Sequence, residues 1–258
     1  MNDARLSLSF DGPVAHLRLC RAEKLNALDA DMIEALLSIC RQIDRSNARV
    51  AILTGEGKAF CAGGDIAAWS DLSPQDFGSR WLRDGHQAFD ALARLRQPLI
   101  AVLNGHCLGG GLELAACADL RIAEAHVKLA LPETGLGIIP GWSGTQRASR
   151  RFGAQLIRRM AILGEVFTAD QALALGLFDQ VVPTGQGMDA ALVVAARVSA
   201  RSPRATEITK QLINAAEGED RERTLEMLAG ALVAGSDDLA EGLSAYREKR
   251  QPRFGGKD

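Results

Sequence analysis

Short apolar runs, separated by polar and glycine-rich stretches, recur along the first 185 or so residues of the chain. The run 15–19 predicts a strand. The runs 50–53 and 99–103 are apolar at every position, which is typical of strands buried on both faces. Such strands indicate a sheet that is covered by other elements on both sides.

Helical patterns lie between the predicted strands. Apolar residues recur every three or four positions after Asp29 and Asp31, as expected for a helix that buries one face. Thr168 and Gln171 have the spacing of a capping box ahead of a helix that ends near Gly176. The apolar stripe of the first helix consists of Ile33, Leu36, Leu37, Cys40 and Ile43.

The order of these elements predicts the domain organisation. Strands and helices alternate to about residue 185, which indicates an α/β fold with right-handed crossovers. From Met188 onward the pattern is helical only, in the stretches 189–200, 203–216 and 220–250, the last with a break at Gly235 and Ser236. We therefore predict an α/β core over residues 1–195 and a C-terminal helical region over residues 196–258.

Composition and charge narrow the class of protein. The 258 residues are 47% hydrophobic, and 30 basic residues against 32 acidic ones give a net charge of −2, so neither nucleic acid nor a membrane surface is expected as a partner. No apolar run approaches the roughly 18 residues that span a bilayer, and the first residues do not resemble a signal peptide. Scattered histidines and five unpaired cysteines predict a cytoplasmic protein without a metal site.

Two glycine-rich segments are candidate sites for a developing negative charge. Gly63 and Gly64 follow a predicted strand, and three glycines, 109–111, follow another strand and open a helix, where free N–H groups stabilise an anion. An ordinary tight turn is the simpler explanation of the first segment, and a flexible loop explains the second equally well.

Two carboxylates accompany these segments. Glu113 interrupts the apolar stretch 112–118, so it is either buried with a function or part of an exposed helical stripe that pairs with an arginine. Glu133 lies in the Gly- and Pro-punctuated stretch 131–147, which is typical of a loop that carries a functional group. The two glutamates are 20 residues apart, so spacing alone does not bring them together.

Structural roles are expected for several other conspicuous residues. Asp65 is more typical of a helix cap or turn residue than of a catalytic group. His106 is more typical of a residue that follows a turn glycine than of a catalytic base. Trp69 and Trp81 are expected to pack in a helical lid or core. A solvated or subunit-contact face is expected for the basic stretch Arg147, Arg150, Arg151, Arg158 and Arg159.

Taken together, these segments resemble the enoyl-CoA hydratase/isomerase family, also called the crotonase superfamily. The resemblance covers essentially the whole chain, because further matching segments precede and follow the glycine-rich ones. It implies a superhelix of strand-strand-helix units and a C-terminal helical region that forms a trimer, or a dimer of trimers. The matching segments are 21–28, 58–66, 104–113, 132–147 and 241–250.

The resemblance also implies the roles of the site residues. The N–H groups of Gly64 and Gly110 are implied to form an oxyanion hole for a thioester oxygen. Glu113 and Glu133 are implied to share a water molecule that the Gly141 N–H also binds. Our interpretation makes Glu113 the base that takes the proton of the water and Glu133 the acid that protonates Cα.

The implied substrate is an acyl-CoA thioester, with coenzyme A as part of the substrate and no separate cofactor. The segment Ala62, Gly64, Asp65 and Ile66 is implied to contact coenzyme A, and its phosphates are implied to meet Lys24 and, from a neighbouring subunit, Lys249.

The reaction that the glutamate pair favours is reversible hydration of a trans-2-enoyl-CoA to a 3-hydroxyacyl-CoA. Double-bond isomerisation, dehydration or thioester hydrolysis on the same scaffold stay open, as does a binding or RNA-binding protein without activity. Trp142 and Gly230 depart from the residues that are common in the family and bear on the acyl pocket.

Overall fold

The computed structural model of the chain describes residues 5–255, without the side chain of Arg223. Ten strands form two sheets. The six-stranded sheet has the order β1-β2-β3-β5-β7-β10, from Leu6–Asp11, Val14–Leu19, Val50–Gly55, Leu99–Leu103, Leu120–Glu124 and Gln180–Val182. The four-stranded sheet has the order β4-β6-β8-β9, from Ala59–Cys61, His106–Leu108, Lys128–Ala130 and Phe167–Thr168.

From β3 to β8, consecutive strands alternate between the two sheets and thereby build a repeated unit. β3 and β4, β5 and β6, and β7 and β8 each place one strand in each sheet, and helical structure follows each pair. All neighbouring strands are parallel except β1 with β2 and β8 with β9. The strand-strand-helix repeat that the family resemblance implied is therefore present.

The helices complete these units. In the first part of the chain they are α1 Ala30–Arg45, α2 Ile66–Trp69, α3 Pro74–Asp76, α4 Arg83–Ala93, α5 Gly110–Ala115, α6 Arg147–Phe152, α7 Ala154–Ala161, α8 Ala169–Ala174 and α9 Gly187–Ser199. In the C-terminal part they are α10 Pro203–Ala216, α11 Arg221–Ala234 and α12 Asp237–Glu248. A π-helical turn, Phe77–Leu82, joins α3 to α4, and 3₁₀ turns occupy Ala22–Lys24 and Glu133–Leu136.

Both faces of the six-stranded sheet are covered, which explains the uninterrupted apolar runs. Val50 and Ile52 of β3 pack in one cluster with Ala191 and Ala195 of α9, whereas the alternate residues of the same strand pack in the main core with α1 and α4. This follows from the alternation of side chains along a strand. The predicted burial of these strands on both faces is confirmed.

The predicted helix starts are confirmed as well. The Asp29 side chain accepts a hydrogen bond from the N–H of Met32 at the start of α1. Thr168 and Gln171 form a reciprocal capping box at the start of α8. These caps satisfy N–H groups that have no partner inside the helix.

The chain divides into two compact units, Met1–Ile208 and Thr209–Asp258. This division lies inside α10, whereas the boundary predicted from the sequence, 195/196, lies inside α9. The second unit contains the end of α10 with α11 and α12, and it exposes several large apolar side chains. They include Leu225, Leu232, Val233, Leu243 and Tyr246. Among the described helices, none is long and apolar enough to cross a membrane.

Candidate active site

A pocket of about 110 Å³ opens where the strands of the four-stranded sheet end. The segments that follow β4, β6 and β8 all contribute to it, as does the loop before α6. Neighbouring parallel strands bring their carboxyl ends to one edge, which is where α/β sheets bind ligands. Seven residues predicted from the sequence line this pocket: Ala62, Gly64, Ile66, Gly110, Glu113, Glu133 and Gly141.

Glu113 lies in the first turn of α5, and its side chain is only 2% exposed. Its Oε1 accepts hydrogen bonds from the backbone N–H groups of Trp142 (2.7 Å) and Gly144 (2.6 Å). Burial and the nearby Glu133 carboxylate raise the pKa of Glu113 to about 8, although both N–H donors oppose this shift. The alternative of an exposed helical stripe is therefore wrong for Glu113.

Glu133 is the first residue of the 3₁₀ turn after β8 and is also buried. Its Oε2 is buried without a hydrogen-bond partner among the described residues, and burial raises the pKa of Glu133 to about 7. Gly109, which caps α5 at φ +53°, lies against it, because a Cβ at Gly109 would lie 2.7 Å from Glu133 Oε1. Two carboxyl groups that titrate near neutral pH thus line one pocket.

Arg147 corrects part of the sequence analysis. We expected the basic stretch that begins there to face solvent or another subunit, but Arg147 is 2% exposed. Its Nη2 donates to Asp90 Oδ1 at 2.6 Å, and its positive charge lowers the pKa of Glu113. The signal that separates Arg147 from the other arginines is its position directly after the glycine-rich loop, at the buried start of α6.

Two backbone N–H groups border the pocket near the glutamates. Gly110 opens α5, where first-turn N–H groups have no partner within the helix. Gly64 pairs with Leu28 in a β-bridge in which Leu28 N–H donates to Gly63 and Asp65 N–H donates to Leu28. The N–H of Gly64 therefore points away from Leu28. Both groups are available to an oxygen atom in the pocket.

The remaining predicted residues have different surroundings. Asp65 caps α2 by accepting from Ala67 N–H and forms an ion pair with Arg21 at 2.8 Å, so the predicted capping role is confirmed. Lys24 is exposed at the end of the 3₁₀ turn Ala22–Lys24. Lys249 follows α12 in the left-handed conformation and is exposed, within the second unit. Contacts of Asp65, Lys24 and Lys249 with coenzyme A stay predictions.

His106 and the cysteines take no part in this pocket's lining. His106 is exposed on β6, and its Nδ1 accepts a hydrogen bond from Lys128 N–H at 3.2 Å. The five cysteines are free thiols. Across residues 5–255, no group of three or more His, Cys, Asp or Glu side chains is arranged to hold a metal ion.

Sequence reasoning related Trp142 to the acyl pocket but missed that the indole groups of Trp69 and Trp81 shape it as well. Trp69, Trp81 and Trp142 all line it, and Trp142 is 3% exposed. The available signal was their number, because the chain has only three tryptophans and each lies close to a glycine-rich or loop segment. The N–H groups of Trp142 and Gly144 that bind Glu113 had no sequence signal beyond the glycines around them.

Comparison with known proteins identifies the family. Residues 9–257 match the model of the enoyl-CoA hydratase/isomerase family. A short-chain-enoyl-CoA hydratase of Clostridium acetobutylicum is 34% identical over 95% of each chain, and a crotonyl-CoA hydratase of Syntrophomonas wolfei is 34% identical over 96% of each. The chain belongs to the enoyl-CoA hydratase/isomerase family of enzymes.

Solved structures agree with this assignment. An enoyl-CoA hydratase from Bacillus anthracis is 34% identical, with a TM-score of 0.79 over 98% of this chain and 100% of that one. The crotonase-like superhelix followed by a C-terminal helical region, which the resemblance implied, is therefore confirmed as the fold.

Proposed function

We propose that the protein catalyses reversible syn addition of water to a trans-2-enoyl-CoA, giving a 3-hydroxyacyl-CoA. The observation that carries this proposal is the pair Glu113 and Glu133, buried in one pocket with pKa values raised to about 8 and about 7. Hydration needs one carboxylate and one carboxylic acid at the same time, and such a pair supplies both near neutral pH. The names of the relatives agree with this reaction.

The first step of the proposed mechanism is polarisation of the thioester. The thioester oxygen accepts hydrogen bonds from the N–H groups of Gly64 and Gly110. Attack at C3 moves electron density onto this oxygen as the enolate forms, so the two donors stabilise the transition state more than the substrate. Loss of one such donor typically costs about 10²–10³ in rate.

The second step uses the two carboxyl groups. The water oxygen bonds to C3 while Glu113 takes one of its protons, and the Glu133 carboxylic acid gives its proton to C2. Glu113 ends protonated and Glu133 ends ionised, and transfer of this proton from Glu113 to Glu133 restores the starting pair, so the net change is addition of one water to the substrate. Both carboxyls line the same pocket, which supports addition of oxygen and hydrogen to one face of the double bond.

Hydrogen bonding supports this division of roles. Between about pH 7 and pH 8 the pair holds one proton. The higher pKa of Glu113 alone would place this proton on Glu113, so the assignment of the proton to Glu133 rests on the hydrogen bonds. Glu113 Oε1 accepts two N–H donors, which favours the ionised form of that carboxyl. Glu133 Oε2 has no partner among the described residues and is the position for the shared proton. In the proposal, the Gly141 N–H helps to hold the reacting water.

The rest of the substrate extends out of the pocket in this proposal. The backbone of Ala62, Gly64 and Ile66 contacts the coenzyme A moiety, with Asp65 nearby and Lys24 reaching toward its phosphates. Lys249 contributes from a neighbouring copy of the chain in a homotrimer or dimer of trimers. The exposed apolar side chains of the second unit support such an assembly, because surfaces of this kind are usually covered by a partner.

The test is hydration of crotonyl-CoA, followed as loss of absorbance of the conjugated thioester, with 3-hydroxybutyryl-CoA identified as the product. Glu113→Gln serves as the blank with an intact fold. A parallel assay with 3-butenoyl-CoA tests for isomerisation. Rapid hydration that the blank lacks supports the proposal. Conversion of the 3-enoyl substrate without formation of hydroxyacyl product contradicts it and favours an isomerase.

A further inference from the structure

The indole of Trp81 forms a partition between two cavities. It lines the catalytic pocket, which has a volume of about 110 Å³. It also lines a second cavity of about 420 Å³ between α1, α2 and α4, which we call the rear groove and whose apolar wall includes Ile33, Leu37, Ala68 and Leu72. Trp81 is 8% exposed, so its side chain fills the space between the two cavities.

Trp81 lies directly beside the proposed oxyanion hole. A Cβ at Gly64 would lie 2.9 Å from Trp81 Cζ2 and 3.5 Å from Trp142 Cη2. An acyl chain whose thioester oxygen is bound at Gly64 therefore meets the indole of Trp81 within a short distance. The cavity on this side of the Trp81 ring is small, about 110 Å³, whereas the rear groove behind the ring is larger, about 420 Å³.

Trp142 holds this partition in place. Its ring packs against Trp81 with 4.9 Å between ring centroids, and its Nε1–H donates to the Trp81 carbonyl at 3.3 Å. Gly85, one turn further along the helix, leaves room for it, because a Cβ there would lie 2.0 Å from Trp142 Nε1. Glycine weakens a helix interior, so the close approach explains its presence in α4.

The backbone around Trp81 has an unusual helical conformation. Trp81 belongs to the π-helical turn Phe77–Leu82, and such turns are frequent at functional sites. Phe77 in the same turn packs edge-to-face against Trp69 at 5.7 Å, which ties the turn to the other wall of the pocket. The partition is thus supported from both sides by aromatic contacts.

We propose that Trp81 is a specificity-determining residue that ends the acyl site and restricts the substrate to short acyl groups of about four carbons. The proposal rests on the proposed function and names its substrate class. A water-sized group needs at least about 10–15 Å³ of such cavity volume, so the catalytic pocket of about 110 Å³ holds about seven to eleven groups, which the thioester carbonyl, the reacting water and the acyl chain must share. Longer chains require the rear groove, which Trp81 closes off.

The first experiment compares chain lengths on the unmodified protein. We expect kcat/KM for trans-2-decenoyl-CoA to be at least about 100-fold lower than for crotonyl-CoA, because the added methylenes have no pocket to enter. Saturated butyryl-CoA and decanoyl-CoA are compared in parallel by calorimetry, and butyryl-CoA is expected to bind more tightly. Equal kcat/KM for both enoyl substrates, or tighter binding of decanoyl-CoA, would overturn the proposal.

The calorimetric comparison separates the two proposals. If no enoyl-CoA is hydrated, the proposed function fails, while the affinity ratio of the saturated thioesters still tests the partition. If crotonyl-CoA and decenoyl-CoA are hydrated alike, the proposed function stands and the partition fails.

The second experiment opens the partition with Trp81→Leu, which keeps an apolar side chain in the core. We expect the ratio of kcat/KM for decenoyl-CoA over crotonyl-CoA to rise by about tenfold or more. Adding Ala68→Phe, which fills the rear groove from behind, is expected to reverse this gain. Phe167→Leu is the matched control, because Phe167 is a buried aromatic residue that lines neither the catalytic pocket nor the rear groove, and it should leave the ratio unchanged.

Two results would overturn the assignment to Trp81. One is a Trp81→Leu protein with an unchanged ratio and an unchanged circular dichroism spectrum. The other is a gain that Ala68→Phe fails to reverse or that Phe167→Leu reproduces, since the rear groove would then not be the source of the added space.

Discussion

Glu113 and Glu241 carry the same side chain, yet the pKa of Glu113 is raised to about 8 and that of Glu241 is lowered to about 2. Glu241 lies at the surface, where its two oxygens accept hydrogen bonds from Arg250 at 2.5 and 2.8 Å and one also accepts from Arg253 N–H at 2.7 Å. Glu113 is buried, and Arg147, whose charge lowers its pKa, donates a hydrogen bond to Asp90 and not to Glu113. Glu165 resembles Glu241, because its ion pair with Arg159 lowers its pKa.

The difference teaches what makes a carboxyl group useful for proton transfer at neutral pH. At the surface, an arginine and solvent stabilise the charged form, so Glu241 and Glu165 stay ionised throughout the physiological range. In the pocket, burial disfavours the charge, and each glutamate raises the cost of ionising the other. The two pocket carboxyls can therefore change protonation state near neutral pH, whereas the two surface carboxyls cannot.

The largest expected effect on kcat comes from substitutions that remove the ionisable carboxyl group of Glu113 or Glu133. Glu113→Gln and Glu133→Gln keep the size and the acceptor oxygen of the side chains but cannot transfer a proton, so each is expected to lower kcat for crotonyl-CoA by about 10²–10⁴-fold. Glu165→Gln is the matched surface control and should retain the wild-type kcat. A comparable loss in the control would mean that the substitution acts through folding.

The second effect concerns stability. The folded-state pKa of Glu113 lies above its value in the unfolded chain. The contribution of Glu113 to the free energy of unfolding is therefore fully present below about pH 4.5 and is lost as pH rises toward about 8. Glu113→Gln lacks this penalty. The Tm of Glu113→Gln minus the Tm of the wild type should therefore rise by at least about 3 °C between pH 5 and pH 9.

Glu165→Gln again provides the comparison for stability. The pKa of Glu165 is lowered, so its contribution is present above the unfolded-state pKa and constant between pH 5 and pH 9. A Tm difference for Glu113→Gln that stays as constant as that of Glu165→Gln would argue that burial does not perturb Glu113.

A smaller effect is expected from Arg147. Its positive charge lowers the pKa of Glu113, so Arg147→Met should move the basic limb of the kcat/KM profile upward by about half a pH unit, whereas Arg147→Lys keeps the charge and should leave the limb in place. The limb position is measured with crotonyl-CoA. Equal shifts in both variants would show that loss of the hydrogen bond to Asp90, rather than loss of charge, is responsible.

The fold was accessible from the sequence because its signals are local. Uninterrupted apolar runs mark β3 and β5, and the Thr168–Gln171 capping box marks α8, since each signal depends on residues close in the chain. The site was only partly accessible. Spacing did not bring Glu113 and Glu133 together; the family resemblance did, and the structure places both in one pocket.

What escaped sequence analysis depends on contacts between distant segments. Arg147 belongs to a basic stretch, and only the packing of α6 against α4 shows that it is buried beside Asp90. The orientation of the Trp142 side chain depends on the space that Gly85 leaves by having no Cβ, and Gly85 lies far from Trp142 in the chain. No local sequence pattern predicts the burial of Arg147 or the orientation of Trp142. A run of charged residues or a tryptophan looks the same in the sequence whether it is buried or exposed.

The central claim is that two buried carboxyls share one proton near neutral pH, and the pH dependence of kcat/KM for crotonyl-CoA tests it most directly. This quantity reports the ionisations of the free enzyme. We predict a narrow bell with limbs near pH 7 and pH 8, as expected for a pair that is active only when singly protonated. A profile that stays flat between pH 5 and pH 9 would contradict the account.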